Sequence, residues 1–443
     1  MSRFLRCRSY APMLAALPLA VAAALAAQDA RAAGFQLKEN SAEGLGRSFA
    51  GSAAAPGDCS VVVNNPAAMG EFKSSCFQGD VTAIQFSTKF HGSGQDFLGQ
   101  PLSGGNGGDG GLIQPVPALY YIHPVNDQLT FGAAFSVPFG FQTEYNDQWV
   151  GRYEALKSKL ESLALTFSAS YRISDEFSLG GSIIAQRTSA ELSQAIDLGT
   201  ILAGPTNGAL LPQEADGFGS LKGDDWGFGF GLGLLWKPTP SDNFGVNFHS
   251  QIDHTIDGDG KFLVPVNIAP LLGGAFVNSP GKADFDTPAF ASISWWHTAN
   301  EQWSFGADIG YTHWSSLKKL VVNYSNPAQP DSVSIFDWRD TWFGSVGVDY
   351  RLDEQWTLRA GAAIDQTPTR DETRTPRVPD GQRTWLSFGL GYKVSDDLKI
   401  EVGYAHLWVD DGDVNHMSAT FSTLTGAFES SSNLLAVSGQ YRF

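Results

Sequence analysis

Residues 226–236, WGFGFGLGLLW, place a bulky apolar side chain at every second position: Trp226, Phe228, Phe230, Leu232, Leu234 and Trp236. Gly227, Gly229, Gly231 and Gly233 fill most of the gaps. A period of two is a strand, whose successive side chains point to opposite faces. One face is then broad, greasy and edged by tryptophan, while the other is nearly bare. A soluble sheet would bury the greasy face in a core. A membrane barrel would give it to lipid and turn the bare face to a lumen.

The rest of the chain decides between the two. HPVNDQL (123–129), RISDEF (172–177), KPTPSDNF (237–244), HTANEQW (297–303), RLDEQW (351–356) and KVSDDL (393–398) are short polar turns between alternating runs. They read as six hairpins. Long glycine-rich or polar stretches separate them, at 91–111, 191–225, 257–281, 316–331, 366–382 and 411–430. Tight turns on one side and long loops on the other are the layout of an outer-membrane barrel. Six hairpins give twelve strands, and one more at each end, near Phe77–Phe90 and Ser432–Phe443, makes fourteen, an even number. Aromatic residues recur at the ends of the apolar faces, as in Trp303-Phe305-Ala307-Ile309-Tyr311, which fits an interfacial girdle better than a sandwich core. The expected fold is all-β: a 14-stranded antiparallel transmembrane β-barrel.

Composition agrees. Arg3, Arg6 and Arg8 precede an uncharged run from Met13 to Ala27, and Ala30-Arg31-Ala32 supplies an A-x-A cleavage site. Residues 1–32 therefore read as a secretory signal peptide, cleaved before Ala33. The segment carries four arginines and one aspartate, so its removal takes the formal charge from −17 to −20. Such an acidic chain is a poor partner for nucleic acid or anionic phospholipid. Cys7 leaves with the signal, and Cys59 and Cys76 remain. In an exported protein they form either a disulfide or two free thiols.

Residues 33–75 are small, weakly periodic and poor in charge, with apolar anchors at Phe35, Leu37, Leu45, Phe49 and Met69. That composition suits a plug, or hatch, packed inside a barrel formed by 76–443. At this point several stretches carry a family resemblance: AGFQL at the mature start, GLGRSFAG, Asn65-Pro66-Ala67, GFQTEYNDQW (140–149), YTHWSSL (311–317), WRDTW (338–342) and the run 358–392. The chain resembles the FadL/TodX outer-membrane transporters of long-chain fatty acids and hydrophobic hydrocarbons. The resemblance implies passive uptake through a hatch-closed barrel. It implies a pocket and gate touched by Phe35 and Leu37, and sideways exit at a kinked third strand, here Pro138-Phe139-Gly140-Phe141. Proline lacks a ladder donor and glycine weakens a strand, so a break is expected there on physical grounds as well. The fatty-acid members hold a carboxylate near basic side chains. Gln194 and Ser334 stand at those positions here, which leaves Arg339, Arg359 and Arg383 as candidate head-group contacts and keeps neutral monoaromatic or alkane cargo as the alternative.

Other signals are weaker. Asp257–Gly260 and Asp410–Asp413 lack EF-hand spacing and read as solvated acidic loops, and His249 and His254 read as rim residues, so no metal and no cofactor is expected. A barrel lipase would need a recognisable nucleophile, and no G-x-S-x-G occurs, so no enzyme is expected. A general diffusion porin is the stronger rival but would keep its lumen open. The expected partners are hydrophobic small molecules, outer-membrane lipid and lipopolysaccharide, and the barrel-assembly machinery through the aromatic C-terminus Phe443. The protein is expected to be a monomer.

Overall fold

A computed structural model describes residues 34–443; the signal peptide and its cleavage site lie outside the described residues. The described residues contain eighteen strand segments in one sheet, closed where β1 (Cys76–Gln95) pairs with both β2 (Ile113–Pro124) and β18 (Thr423–Arg442). β3 (Leu129–Glu144), β4 (Lys157–Arg172), β5 (Phe177–Asp197) and β6 (Asp216–Thr239) follow in order. The next four staves are each broken once. β7 (Asp242–His249) continues as β8 (Ile252–Leu263), since β6 pairs with both. β9 (Ser279–Thr287) runs into β10 (Phe290–Thr298), β11 (Trp303–Thr312) into β12 (Lys319–Tyr324), and β13 (Ser332–Ile335) into β14 (Thr341–Arg351). β15 (Trp356–Asp365), β16 (Arg383–Lys393) and β17 (Leu398–Met417) complete the circuit. Eighteen segments, with four pairs sharing a stave, are fourteen staves. All six predicted hairpin turns fall between the expected strands.

The long loops are shorter than the sequence suggests. Of 191–225 only 198–215 lies outside strands, and of 411–430 only 418–422. Asp257–Gly260 and Asp410–Asp413, read as loop residues, sit in β8 and β17. At these strand ends Asp, Gly, Ser and Thr dominate the outward positions, so the apolar/polar alternation that reveals a strand is weakened there. His249 and His254 are likewise not rim residues. His249 stacks on Phe290 and its Nε2 lies 2.9 Å from the Val63 carbonyl, while His254 is buried beside Gln186 and Thr188.

The two faces of 226–236 divide as expected. Phe228 is 76% exposed on the outside, with Trp226, Phe230, Leu232 and Trp236 beside it. On the inside, Gly233 and Gly180 make room for the segment before β1: a Cβ at Gly233 would stand 2.2 Å from Asn65 Oδ1, and one at Gly180 would stand 2.3 Å from the Ala67 nitrogen. Gly227 and Gly229 serve differently, giving space to the side chain of Ile252 at the broken stave. Gly233→Ala should therefore loosen the seating of this segment, at roughly 1–3 kcal/mol for overpacking. Gly231→Ala, whose Cβ meets nothing nearer than Ser182 at 3.4 Å, should not. Leak conductance in planar bilayers separates them, and equal leak from both would show that the fit at Gly233 is immaterial.

Residues 34–75 form short turns and helices, including Ala42–Leu45, Val61–Asn64 and Pro66–Glu71, that are buried against inward-facing residues of the wall. Asn65 explains the N-P-A motif. Its side-chain oxygen caps Pro66–Glu71 by accepting from the Ala67 N–H, and Pro66 needs no N–H at the helix start. Its amide then donates to the carbonyls of Ala53 and, across to β6, Leu234. Cys59 and Cys76 are joined by a disulfide that ties the end of this segment to β1.

Candidate functional site

The site grows from an irregularity in β3. Ser136 pairs with Ala164 of β4, but the next pair is Phe139 with Ser162, so β3 carries one residue more than its partner around Val137-Pro138. Such a bulge bends the strand away from its other neighbour. β2 and β3 pair only where Leu119–Pro124 faces Thr130–Phe135. Beyond that, β2 still pairs with β1 and β3 with β4, yet no ladder joins 113–118 to 136–144. Pro115 and Pro117 lie in the unpaired stretch of β2 and have no N–H to offer. The break thus comes from an extra residue in β3 and a neighbour whose prolines lack donors, as well as from Pro138 itself.

The free edge of β3 is taken by the start of the segment that precedes β1. The Leu37 N–H donates to the Pro138 carbonyl and the Gly140 N–H to the Phe35 carbonyl, each at 2.9 Å. Gln36 thereby bridges Phe139 in the manner of a one-residue strand. One residue earlier, Gly34 is gripped by a loop ion pair: its N–H donates to Asp380 Oδ2 at 2.8 Å, and its carbonyl accepts from Arg383 at 2.8 Å.

These anchors aim Phe35 into an aromatic cage. Its ring centroid lies 4.6 Å from Trp314, 5.3 Å from Trp338, 5.7 Å from Phe285, 5.8 Å from Phe141 and 6.1 Å from Phe139. Trp314 and Trp338 come from the breaks in the β11–β12 and β13–β14 staves, where interrupted alternation lets a side chain turn inward. Phe35 lines two cavities, together with Phe141, Lys159, Leu160 and Val378, which border both. One, about 400 Å³, is lined inside by Phe35, Leu37, Glu39 and Arg383, and by Pro115, Pro117, Glu161 and Leu163 of the wall at the β2–β3 gap. The other, about 60 Å³, lies among Phe141, Leu160, Phe285, Leu320 and Phe336, beside Ser334. Burial of an alkyl chain along such surfaces yields about 0.8 kcal/mol per CH₂.

The predicted cations fare differently. Arg359 is enclosed by carboxylates, with Asp349 at 3.0 Å, Glu43 at 3.7 Å and Glu401 in direct contact, and lines neither cavity described above. Arg339 donates to the Thr367 carbonyl. Arg383 borders the larger cavity but is committed to Asp380 and Gly34. Trp314, Trp338, Phe285 and Asp380 went unread in the sequence. Two of them stand in YTHWSSL and WRDTW, where a strand pattern stops short of a polar turn; that interruption was the available signal.

The sequence from 23 to 443 matches the model of the outer membrane protein transport protein family (OMPP1/FadL/TodX). The chain belongs to this family. It is 31% identical over 412 residues to a long-chain fatty acid transport protein of Escherichia coli O6:H1, a match covering 88% of this chain and 90% of that one. It is also 31% identical over 422 residues to outer membrane protein P1 of Haemophilus influenzae, covering 88% and 89%. Its structure is similar to the crystal structure of a Pseudomonas aeruginosa FadL homologue, with a TM-score of 0.88 at 31% identity, covering 93% of this chain and all of that one. The Pseudomonas putida toluene transporter TodX shares the fold at 19% identity, with a TM-score of 0.66 and coverage of 92% and 99%. Membership in this family makes the chain an outer-membrane transport protein built on a 14-stranded barrel.

Proposed function

We propose that this protein takes up long-chain fatty acids or related lipids by passive diffusion, collecting them in the apolar cavities around Phe35 and releasing them sideways into the membrane between β2 and β3. The observation that carries the reading is the 400 Å³ cavity, whose lining passes from Phe35 inside to Leu163 on the outer face of β4. A sixteen-carbon chain gains roughly 10 kcal/mol on full burial, so release from a rigid site would be slow. Phe35 and Leu37 act as the gate: withdrawing Phe35 enlarges the space shared by the two cavities and removes part of the aromatic cage. Concentration difference and later consumption drive the flux. Residues 33–75 serve as the hatch, and the Cys59–Cys76 bridge leaves its beginning free to move while holding its end.

Uncharged Gln194 and Ser334 favour a second reading, uptake of neutral hydrocarbons by the same route. Cleavage before Ala33, recognition of the exposed Phe443 by the barrel-assembly machinery, contact with lipopolysaccharide and a monomeric state belong to the same proposal.

A strain deleted for this gene, complemented with the wild-type chain, should regain growth on oleate as sole carbon source. Phe35→Ala should restore growth several-fold less well while the barrel assembles normally. Growth on toluene but not on oleate would support the neutral-hydrocarbon reading. Rescue on neither would end both.

A further inference from the structure

Arg377, unlike Arg359 and Arg383, is held by neutral side chains. It lies in the 366–382 segment between β15 and β16, whose next residue, Val378, packs into the cluster around Phe35. Arg377 is among the residues that line the 60 Å³ apolar cavity. It donates to Gln194 Oε1 on β5 at 2.5 Å and to Ser158 Oγ on β4 at 3.3 Å. Those two bonds use two of its five N–H groups. Among the described residues no carboxylate lies within ion-pair distance of it. Glu154, which acts on it from farther away, is already 3.0 Å from His416. Lys159, the other cation bordering this cavity, is paired with Glu161 at 2.9 Å. Burial draws the Arg377 guanidinium down to about 10, only partly offset by Glu154, and it stays cationic at neutral pH.

A part-buried cation without a counter-ion loses hydration, and such groups are commonly paired or completed by a ligand. We propose that Arg377 is the head-group receptor of this pocket, and that the chain selects anionic amphiphiles, long-chain carboxylates, over neutral hydrocarbons. The inference rests on the pocket around Phe35 being the cargo site. Gln194 and Ser158 then position the planar guanidinium, whose free edge matches a carboxylate bidentately, while the alkyl chain lies against Phe285, Leu160 and Phe141. The cation is thus supplied from a loop and not from the wall positions held by Gln194 and Ser334.

The test uses the purified full chain in detergent, with oleate and methyl oleate as probes that differ only in the charged oxygen. Arg377→Met should weaken oleate binding by about tenfold or more, the effect of losing a charge-assisted hydrogen bond, with methyl oleate unchanged. Arg377→Lys should recover part of the oleate affinity, which a loss of folding would not allow. Unchanged oleate affinity in Arg377→Met, or equal loss for both probes in a barrel of normal circular dichroism, overturns the assignment of Arg377 alone. Failure of the wild-type chain to bind either probe overturns the pocket itself and this inference with it.

Discussion

A chain lacking Pro138 is expected to bind hydrophobic cargo within a few-fold of normal and to lose uptake by about tenfold or more. β3 has one residue too many between Ser136 and Phe139, so a single deletion restores the register with β4. It also keeps the alternation: Ser136 and Phe139 both face inward now, and with one intervening residue they still would. A continuous β3 can close onto β2 and narrow the gap. Replacing Pro138 by valine would not do this, because the extra residue would remain. With the gap closed, cargo must leave towards water, where each exposed CH₂ adds about 0.8 kcal/mol. Exposure of only two slows release about tenfold. Uptake of a labelled fatty acid by whole cells, alongside binding to the purified variant, decides the matter. Wild-type uptake through a variant whose third strand is shown to be straight would mean that cargo does not exit sideways.

Arg359→Met is expected to unseat the hatch without altering which cargo is bound. Arg359, Arg47 and Lys399 face Glu43, Asp349 and Glu401 in one buried network, three charges of each sign. Two members, Glu43 and Arg47, belong to the hatch, and the others to β14, β15 and β17. Removing one partner of a buried ion pair strands the rest, at roughly 3–5 kcal/mol. The penalty falls on the docked hatch, since Glu43 and Arg47 regain water when it leaves. Planar-bilayer recordings should pass from a nearly closed channel to frequent large openings, while the ratio of oleate to methyl oleate affinity stays as in the wild type. A quiet channel with altered cargo preference would return Arg359 to the role of candidate head-group contact assigned to it from sequence.

The alternation of 226–236, the six polar turns and the count of fourteen strands were legible because lipid imposes a pattern on every stave: apolar outward, small or polar inward, period two. The glycines had a legible meaning too, though which neighbour each admits was not; Gly233 receives Asn65 while Gly229, on the same face, receives Ile252. Where the constraint of lipid ends, the sequence fell silent. The ends of β5, β6, β17 and β18 that border 198–215 and 418–422 looked like loops because their outward positions are mostly polar. The site depended on breaks in periodicity, and a break reads alike in a strand end, a bulge or an inward turn. Tertiary structure alone brought Trp314, Trp338 and Phe285 around Phe35, set Gly34 between Asp380 and Arg383, and enclosed Arg359 among carboxylates while leaving Arg377 without one. Whether a cation is neutralised depends on groups hundreds of residues away in the chain, and only the closed barrel brings them within the few ångströms over which charges pair.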